Sequence, residues 1–148
     1  MISLRSFCRE DAPVLCRLGY ADVSVQQARE MIAAWNQKEY NSRYFEMLAI
    51  LVCGEIVGMI SLYQHTDAVV SIGPEVFEPY RRCGYAAEAM HLACDIAAEK
   101  GYKIVSQQIR CDNTASLALH RKLGFASDGT VYINSKGNRV SIYLKSLV

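Results

Sequence analysis

The sequence lacks long apolar runs and has no marked excess of charge of either sign. No stretch approaches the roughly 18 consecutive apolar residues that a membrane-spanning helix needs. The first residues also lack the apolar core of a secretory signal peptide. Sixteen Lys and Arg stand against fifteen Asp and Glu, a formal charge of +1, which gives no basis for broad electrostatic binding to nucleic acid. We therefore expect a cytoplasmic protein that binds neither nucleic acid nor membranes.

Paired cysteines and clustered histidines are also missing. None of the six cysteines stands in a C-x-x-C arrangement, and the three histidines are not at metal-ligand spacing. No metal site is therefore expected. Reduced thiols in the cytoplasm are the simpler interpretation, and a disulfide framework is the lesser alternative. The cysteines are Cys8, Cys16, Cys53, Cys83, Cys94 and Cys111.

The chain has the size and composition of one globular domain. Its 148 residues are 51% hydrophobic and 21% charged, close to ordinary globular usage, with no repeat, low-complexity tract or linker. A domain of this size buries roughly 68–70% of the surface that its unfolded chain exposes, so its core needs no cross-links. We predict a single domain over residues 1–148.

Hydrophobic periodicity predicts the element order β-α-α-β-β-β-α-β-α-β-β. The predicted strands are Ile2–Phe7, Phe45–Cys53, Ile56–His65, Val69–Phe77, Lys103–Ile109, Val131–Asn134 and Arg139–Leu147. The predicted helices run from Asp11 to about Leu18, then over Val25–Lys38, Cys83–Lys100 and Asn113–Leu123. Hairpins followed by a β-α-β crossover indicate an α/β fold with one mixed sheet.

Segment 79–89 joins a predicted strand to the strongest predicted helix. The first turn of a helix has unpaired N–H groups and about half a positive charge, so it suits an anion. Gly84 lets the backbone approach a ligand closely, and Ala86 adds little side chain. Arg81 and Arg82 add permanent positive charge. This combination indicates a phosphate site. Solvated arginines beside a plain turn glycine are the alternative.

Two common phosphate-binding motifs do not fit this segment. A Walker loop requires Gly-x-x-x-x-Gly-Lys followed by Ser or Thr, which the sequence does not contain. A dinucleotide fingerprint requires three glycines and an acidic residue about 20 positions on. Here Gly84 fills only one glycine position, and Gln107 and Gln108 lie in the later strand. A nucleotide-binding oxidoreductase is therefore the weaker alternative.

Two motifs together resemble those of the GNAT superfamily of N-acetyltransferases. Arg81-x-x-Gly84-x-Ala86 is similar to the family's Arg/Gln-x-x-Gly-x-Gly/Ala motif at a strand-to-helix junction. The run from Asn113 to Phe125 is similar to the later family helix that begins with Asn and closes with Gly-Phe. The sequence around the first motif most resembles that of ribosomal-protein N-terminal acetyltransferases. The resemblance covers nearly the whole chain and implies a GNAT-like fold with a splayed central sheet.

The resemblance implies acetyl-CoA as co-substrate and a primary amine as acceptor, either a protein N-terminus or a small molecule. The pantetheine arm would lie between the strands Val69–Phe77 and Lys103–Ile109 and pair with backbone groups of Val76 and Glu78. A backbone N–H near Val76 would donate to the thioester oxygen. The implied cofactor-binding residues are Val76, Phe77, Glu78, Arg81, Arg82, Cys83, Gly84, Tyr85, Ala86, Asn113 and Ser116.

The resemblance identifies catalytic residues less sharply. His120 shares a helix face with Asn113 and stands where many family members have a tyrosine that protonates the leaving thiolate. A polar residue without a proton role is the alternative. Gln108 replaces the glutamate that related enzymes carry before the Asn, so Glu75, and after it Glu78, is the candidate general base. An ordinary strand-end carboxylate is the alternative for both.

The missing glutamate bears on the acceptor and on whether the chain is an enzyme. Deprotonating an α-amine with a pKa near 8 costs about 1 kcal/mol at pH 7, against about 4.6 kcal/mol for a lysine. A site with a poorly defined general base is therefore better matched to an α-amine. A non-catalytic acyl-CoA-binding module is the alternative to an enzyme. We expect Tyr20, Tyr40 and Tyr44 near the acceptor cleft or packed in the core. Free sheet edges leave a homodimer as an open expectation.

Overall fold

A computed structural model describes residues 1–148. The strands are β1 Ile2–Ser6, β2 Glu39–Tyr40, β3 Arg43–Val52, β4 Glu55–Gln64, β5 Val69–Val76, β6 Ile104–Arg110, β7 Tyr132–Ile133 and β8 Arg139–Ser146. The helices are α1 Ala12–Leu18, α2 Val25–Trp35, α3 Tyr85–Glu99 and α4 Thr114–Lys122. Two single 3-10 turns, Arg9–Asp11 and Glu78–Tyr80, precede α1 and follow β5.

One mixed sheet runs through the domain in the order β1-β3-β4-β5-β6-β8-β7, and β2 pairs with β3 at its side. Every pair is antiparallel except β5 with β6, which are joined by the crossover helix α3. A parallel pair requires such a crossover, since no tight turn can join two strands that point the same way. The predicted α/β class and mixed sheet are confirmed.

Strand side chains alternate between the two faces of the sheet, and each face has its own apolar core. On one face, Met90 and Ala93 of α3 belong to the same buried cluster as Ile60 and Val70 of the sheet. The opposite cluster joins α1 and α2 to the sheet and consists of Phe7, Ala12, Leu15, Ala28, Ile32, Ala49, Leu51, Ile56, Met59 and Phe77. The sheet therefore separates the α3 side of the domain from the α1–α2 side.

The structure adds one strand to the predicted order and ends the second helix earlier than predicted. The extra strand β2 pairs with β3 across a two-residue turn in which Asn41 and Ser42 both adopt positive φ, 51° and 62°. Asn-Ser is a weaker hairpin signal than Asn-Gly, and two residues are too few for periodicity to show. The helix predicted to reach Lys38 ends at Trp35, and Lys38 itself has a φ of 58°, which a right-handed helix cannot accommodate.

No helix in the structure has both the length and the apolarity needed to cross a membrane. All six cysteines are unpaired. No three or more His, Cys, Asp or Glu side chains are grouped so as to hold a metal ion.

Candidate active site

Strands β5 and β6 separate soon after their pairing begins. Only Val69 with Ile104 and Val70 with Val105 are paired. Beyond these two pairs, residues of β4, β5, β6 and α4 line a cleft of about 700 Å³. The predicted splay of the central sheet is confirmed, and it exposes one edge of β5 in the middle of the sheet.

The backbone of β5 turns alternate polar groups into this cleft. The N–H of Phe77 donates to the carbonyl of Val57 in β4, so residues 72, 74 and 76 face the gap. Pro74 occupies a gap-facing position, where its missing N–H leaves no ladder bond unmade. The carbonyl of Val76 accepts from Nε of Arg81 at 2.9 Å, so the free group that Val76 offers to the gap is its N–H.

Phe77 and Glu78, both predicted to bind the cofactor, do not line the cleft. Phe77 is 1% exposed and belongs to the core, where a Cβ on Gly19 would come within 2.6 Å of its ring. Its N–H is already bound by β4. Phe77 is therefore a packing residue, and its side chain points to the opposite face from that of Val76, as expected for consecutive residues of an extended chain.

Glu78 begins the 3-10 turn, and its carbonyl accepts from the N–H of Arg81 at 3.3 Å.

Backbone N–H groups gather at the start of α3. No protein group accepts from the N–H of any residue from 82 to 87. Arg82 and Gly84 in the preceding loop adopt positive φ, 67° and 79°. A Cβ at position 84 would meet no atom within 4 Å, so the backbone conformation rather than crowding is what favours glycine there. The result is a run of free donors at the positive end of a 15-residue helix.

Helix α3 begins two residues later than predicted. The left-handed Gly84 is its N-cap, and Tyr85 and Ala86 form its first turn. Cys83 consequently lies in the loop and not in the helix, and its thiol donates to the carbonyl of Arg81 at 3.6 Å. The difference arises because a left-handed residue cannot lie within a right-handed helix.

Three cationic side chains surround the free N–H groups. Arg81, Arg82 and Lys122 line a depression of about 250 Å³ against the first turn of α3. Lys122 comes from the end of α4 and is not among the predicted residues. It shares a helix face with Ala115 and Leu119, at steps of four and three, and that spacing is the signal that could have identified it.

The N-terminal end of α4 forms the wall of the cleft opposite β5. Asn113 is its N-cap, and the side-chain oxygen accepts from the N–H of Ser116 at 3.1 Å. Both residues line the cleft. The cap leaves the side-chain NH₂ group of Asn113 without a protein partner, so this group remains free to donate to a ligand.

His120 lies on the same wall, but its ring nitrogens are both occupied by the protein. Nδ1 donates to the carbonyl of Ser116 at 2.8 Å, and Nε2 accepts from the amide of Gln107 at 3.2 Å. Ser116 Oγ is also 3.3 Å from Nδ1. The ring is 4% exposed and packs edge-on against Phe125. This arrangement leaves no free N–H to direct at a thiolate, and it favours a structural role for His120 over the predicted proton donor.

The candidate base Glu75 lies on the α1–α2 side of the sheet. It is exposed and is paired across the ladder with Met59, whose sulfur accepts from the Tyr20 hydroxyl at 3.8 Å. Burial, and secondarily the negative charge of Glu75, raises the pKa of Tyr20. At the position of the missing glutamate, the Gln108 side-chain oxygen accepts from the side-chain amide of Asn134 at 3.1 Å.

The three predicted cleft tyrosines separate in the structure. Tyr20 stands beside Glu75, as described above. Tyr40 is 60% exposed, and its ring lies 6.3 Å from that of Tyr63, which lines the cleft. Tyr44 is on the other face, where its ring stacks on Tyr102 and its hydroxyl donates to buried Glu46. Tyr44 therefore packs against the core on the α3 side of the sheet.

The cleft and its cationic N–H site agree with the family match. Residues 2–126 match the family model described as the acetyltransferase (GNAT) domain. The chain belongs to the GNAT acetyltransferase family. The resemblance in the two sequence motifs is thereby confirmed, and the α3 loop and α4 are the parts of the GNAT domain in which those motifs lie.

One curated relative of this GNAT domain is the SPbeta prophage-derived uncharacterized N-acetyltransferase YokL of Bacillus subtilis (strain 168). The two are 30% identical over 98 residues, which are 64% of this chain and 55% of YokL. The match thus spans about half the length of that relative.

Solved structures share the fold at low identity. The ribosomal L7/L12 alpha-N-protein acetyltransferase RimL in complex with coenzyme A has a TM-score of 0.82 at 17% identity, over 98% of this chain and 93% of RimL. The yncA protein of Salmonella typhimurium, solved with acetyl-CoA, has a TM-score of 0.74 at 15% identity, over 100% of this chain and 95% of yncA. These likenesses extend to the whole GNAT domain.

Proposed function

We propose that the chain is an acetyl-CoA-dependent N-acetyltransferase that acetylates a primary amine by direct attack in a ternary complex. The single observation that carries this proposal is the set of free N–H groups at residues 82–87 beside Arg81, Arg82 and Lys122, located at one end of the β5–β6 gap. Such a site matches a diphosphate, and the gap offers a β-strand edge to an amide-containing arm. Coenzyme A combines both features in one molecule.

The residues present fit this co-substrate. The diphosphate would lie against the backbone of Arg82, Cys83, Gly84, Tyr85 and Ala86, with charge from Arg81 and Lys122. The pantetheine amides would pair with the Pro74 carbonyl and the Val76 N–H on one wall and contact Asn113 and Ser116 on the other. Of the predicted cofactor residues, Phe77 is left out, and Glu78 has no assigned contact.

The Val76 N–H is the proposed donor to the thioester oxygen. Negative charge develops on that oxygen as the amine nitrogen bonds to the carbonyl carbon, and a fixed donor there is worth about 10²–10³ in rate. The carbon–sulfur bond then breaks and the thiolate departs. A thiol with a pKa near 8.5 is an adequate leaving group without a strong acid, so a structural His120 is compatible with the reaction.

Glu75 is the proposed acceptor of the amine proton. It follows the gap-facing Pro74 and precedes Val76, but it lies on the face that adjoins Tyr20. An amine arriving from the α1–α2 side would thus meet Glu75 near the thioester. The exposed carboxylate is better matched to an α-amine, which costs about 1 kcal/mol to deprotonate at pH 7, than to a lysine. A protein N-terminus, the acceptor type that RimL is named for, is the favoured class.

A non-catalytic acyl-CoA-binding module is the second candidate. The observation that favours it is the bond between Gln108 and Asn134, which places two amides where related enzymes carry a glutamate. The module would bind acetyl-CoA as tightly as an enzyme but release no free thiol in the presence of amines.

We also propose that the chain is cytoplasmic and forms a homodimer. Six unpaired cysteines support a cytoplasmic location, where thiols remain reduced. Tyr132 and Ile133 are exposed on the edge strand β7, which supports a homodimer through that edge. Sedimentation velocity over a range of protein concentrations tests the dimer, and a single monomer boundary throughout would exclude it.

Calorimetry with acetyl-CoA and a thiol-release assay with α-amines and lysine analogues test the proposed function. We expect binding, turnover with α-amines, and a loss of affinity of at least ten-fold in Arg82→Glu, because charge reversal opposes the diphosphate. Arg9→Glu, an exposed arginine with no ion pair, is the matched control and should bind normally. Absence of binding by the wild-type chain, or equal binding by Arg82→Glu, overturns the proposal. Binding without turnover supports the module instead.

A further inference from the structure

The first gap-facing residue beyond the paired part of β5 is bound by a side chain. The N–H of Ile72 donates to Oε1 of Gln107 at 2.9 Å, and Nε2 of Gln107 donates back to the carbonyl of Ile72 at 2.5 Å. A side-chain amide has one acceptor and one donor side, as a peptide group does. Gln107 therefore takes the place of the strand partner that Ile72 would have had if β5 and β6 had stayed paired.

The bonds between Gln107 and Ile72 allow the cleft to stay open without leaving buried polar groups unpaired. A direct backbone ladder would bring the strands to about 4.7–4.9 Å and close the gap. Simple separation would leave the buried polar groups of Ile72 unbonded, which is unfavourable. The side chain of Gln107 acts as a spacer that avoids both outcomes. Backbone groups of β5 are paired up to Ile72, and the next free gap-facing groups, the Pro74 carbonyl and the Val76 N–H, are left for a ligand.

The second N–H of the Gln107 amide continues the network to α4. It donates to Nε2 of His120 at 3.2 Å, and Nδ1 of His120 donates to the carbonyl of Ser116 at 2.8 Å. Gln107 and His120 are 6% and 4% exposed. The two groups of Ile72 fix the orientation of the amide, and the amide requires an unprotonated Nε2. The network therefore assigns one role to each ring nitrogen of His120, with Nδ1 as the donor and Nε2 as the acceptor.

We propose that Gln107 is a positioning residue that sets the width of the cofactor cleft and holds α4 at a fixed distance from β5. Both walls of the cleft are attached to it, β5 through Ile72 and α4 through His120. This inference rests on the proposed acetyl-CoA site, because the cleft that Gln107 holds open is the one assigned to the pantetheine arm. In this inference His120 holds the Gln107 amide in place and does not protonate the thiolate.

Gln107→Met tests the proposal, since methionine fills a similar volume without hydrogen-bonding groups. We expect acetyl-CoA to bind about ten-fold more weakly, from the loss of buried hydrogen bonds that order both walls. The KM for acetyl-CoA should rise accordingly, while the KM for the amine stays unchanged. Gln64→Met is the matched control, because Gln64 also accepts from a strand N–H, that of Tyr44 at 3.1 Å, but does not line the cleft. It should lose stability without losing acetyl-CoA affinity.

A measurement on the wild-type chain keeps the proposal testable even where Gln107→Met does not fold. Long-range ¹⁵N–¹H NMR of the imidazole should show the ring proton of His120 on Nδ1, with Nε2 as an acceptor. A proton on Nε2 contradicts the network directly. Tight binding by the wild type and equally tight binding by Gln107→Met overturn this inference alone. Failure of the wild type to bind acetyl-CoA overturns the proposed function and the cofactor role of Gln107 with it.

Discussion

Nε of Arg81 donates to the carbonyl oxygen of Val76 at 2.9 Å, which attaches the loop before α3 to the last residue of β5. The terminal guanidinium nitrogens of Arg81 have no protein partner and remain available to a ligand. One planar side chain can therefore fix the backbone of Val76, the proposed donor to the thioester, and also reach a phosphate at the proposed site. The guanidinium can do so because its donors point in several fixed directions.

Arg81→Lys should consequently behave almost like Arg81→Ala. An ammonium group preserves the charge but cannot hold Val76 and a phosphate in the same geometry. We expect both variants to bind acetyl-CoA about ten-fold more weakly in calorimetry. Arg82→Lys is the comparison, because Arg82 makes no such backbone bond, and it should lose much less. Equal losses in Arg81→Lys and Arg82→Lys would mean that Arg81 contributes charge alone.

Lys122 is expected to contribute to coenzyme A binding although it lies far along the chain from Arg81 and Arg82. Lys122→Glu should weaken binding about ten-fold at low salt, and the effect should shrink as ionic strength rises, because an exposed charge is screened. Arg121→Glu changes the same charge on the adjacent residue of the same helix end, but Arg121 does not line the depression. Similar losses in the two variants would show a general field effect and no site at Lys122.

Local sequence signals predict only part of the candidate site. Gly84 and the two arginines predict an anion site because a strand-to-helix junction always leaves N–H groups free. Pro74 lies in β5 at a position that is compatible with a strand only if its backbone faces a gap, so it agrees with the splay that the family resemblance implies.

The contacts between residues far apart in the chain could not be predicted from the sequence. Nothing near Gln107 in the chain indicates that its amide binds Ile72, 35 residues away, or that it would occupy a nitrogen of His120. The spacing of His120 places it correctly on the cleft wall, yet its chemistry depends on these partners. The family resemblance implies Phe77 as a cofactor-binding residue, but the structure directs its side chain to the core.

Glu75→Gln tests the proposed base. We expect kcat to fall by about 10²-fold with an α-amine acceptor, with little change in the KM for acetyl-CoA, because a general base contributes about 10²–10⁴ and does not touch the cofactor. The residual rate should rise with pH up to the pKa of the amine, since the free amine then supplies its own lone pair. Glu55→Gln, an exposed glutamate at the start of β4, is the control. An unchanged kcat in Glu75→Gln would exclude Glu75 as the base.

The carboxylate of Asp11, which directly precedes α1, accepts a hydrogen bond from Arg5 of β1. This contact should make the stability of the domain depend on pH. Burial by itself raises the pKa of Asp11, but hydrogen bonds from Arg5 at 2.7 Å and from the Cys8 N–H at 2.8 Å outweigh burial, so its pKa lies below the ordinary value. A lowered folded-state pKa stabilises the fold above the unfolded-state pKa, near 3.9, and this contribution is lost as the pH falls through the lower folded-state pKa.

Asp11→Asn should therefore lower the free energy of unfolding by about 2 kcal/mol at neutral pH, since hydrogen bonds to a charged group are lost. Below about pH 4 the difference between the variant and the wild type should shrink, because protonation weakens the same bonds in the wild type. Urea denaturation at a series of pH values measures both effects. Asp22→Asn, an exposed aspartate, is the control and should follow the wild type throughout. A difference between Asp11→Asn and the wild type that persists unchanged in acid would mean that packing around Asp11, and not its charge, stabilises the junction of β1 and α1.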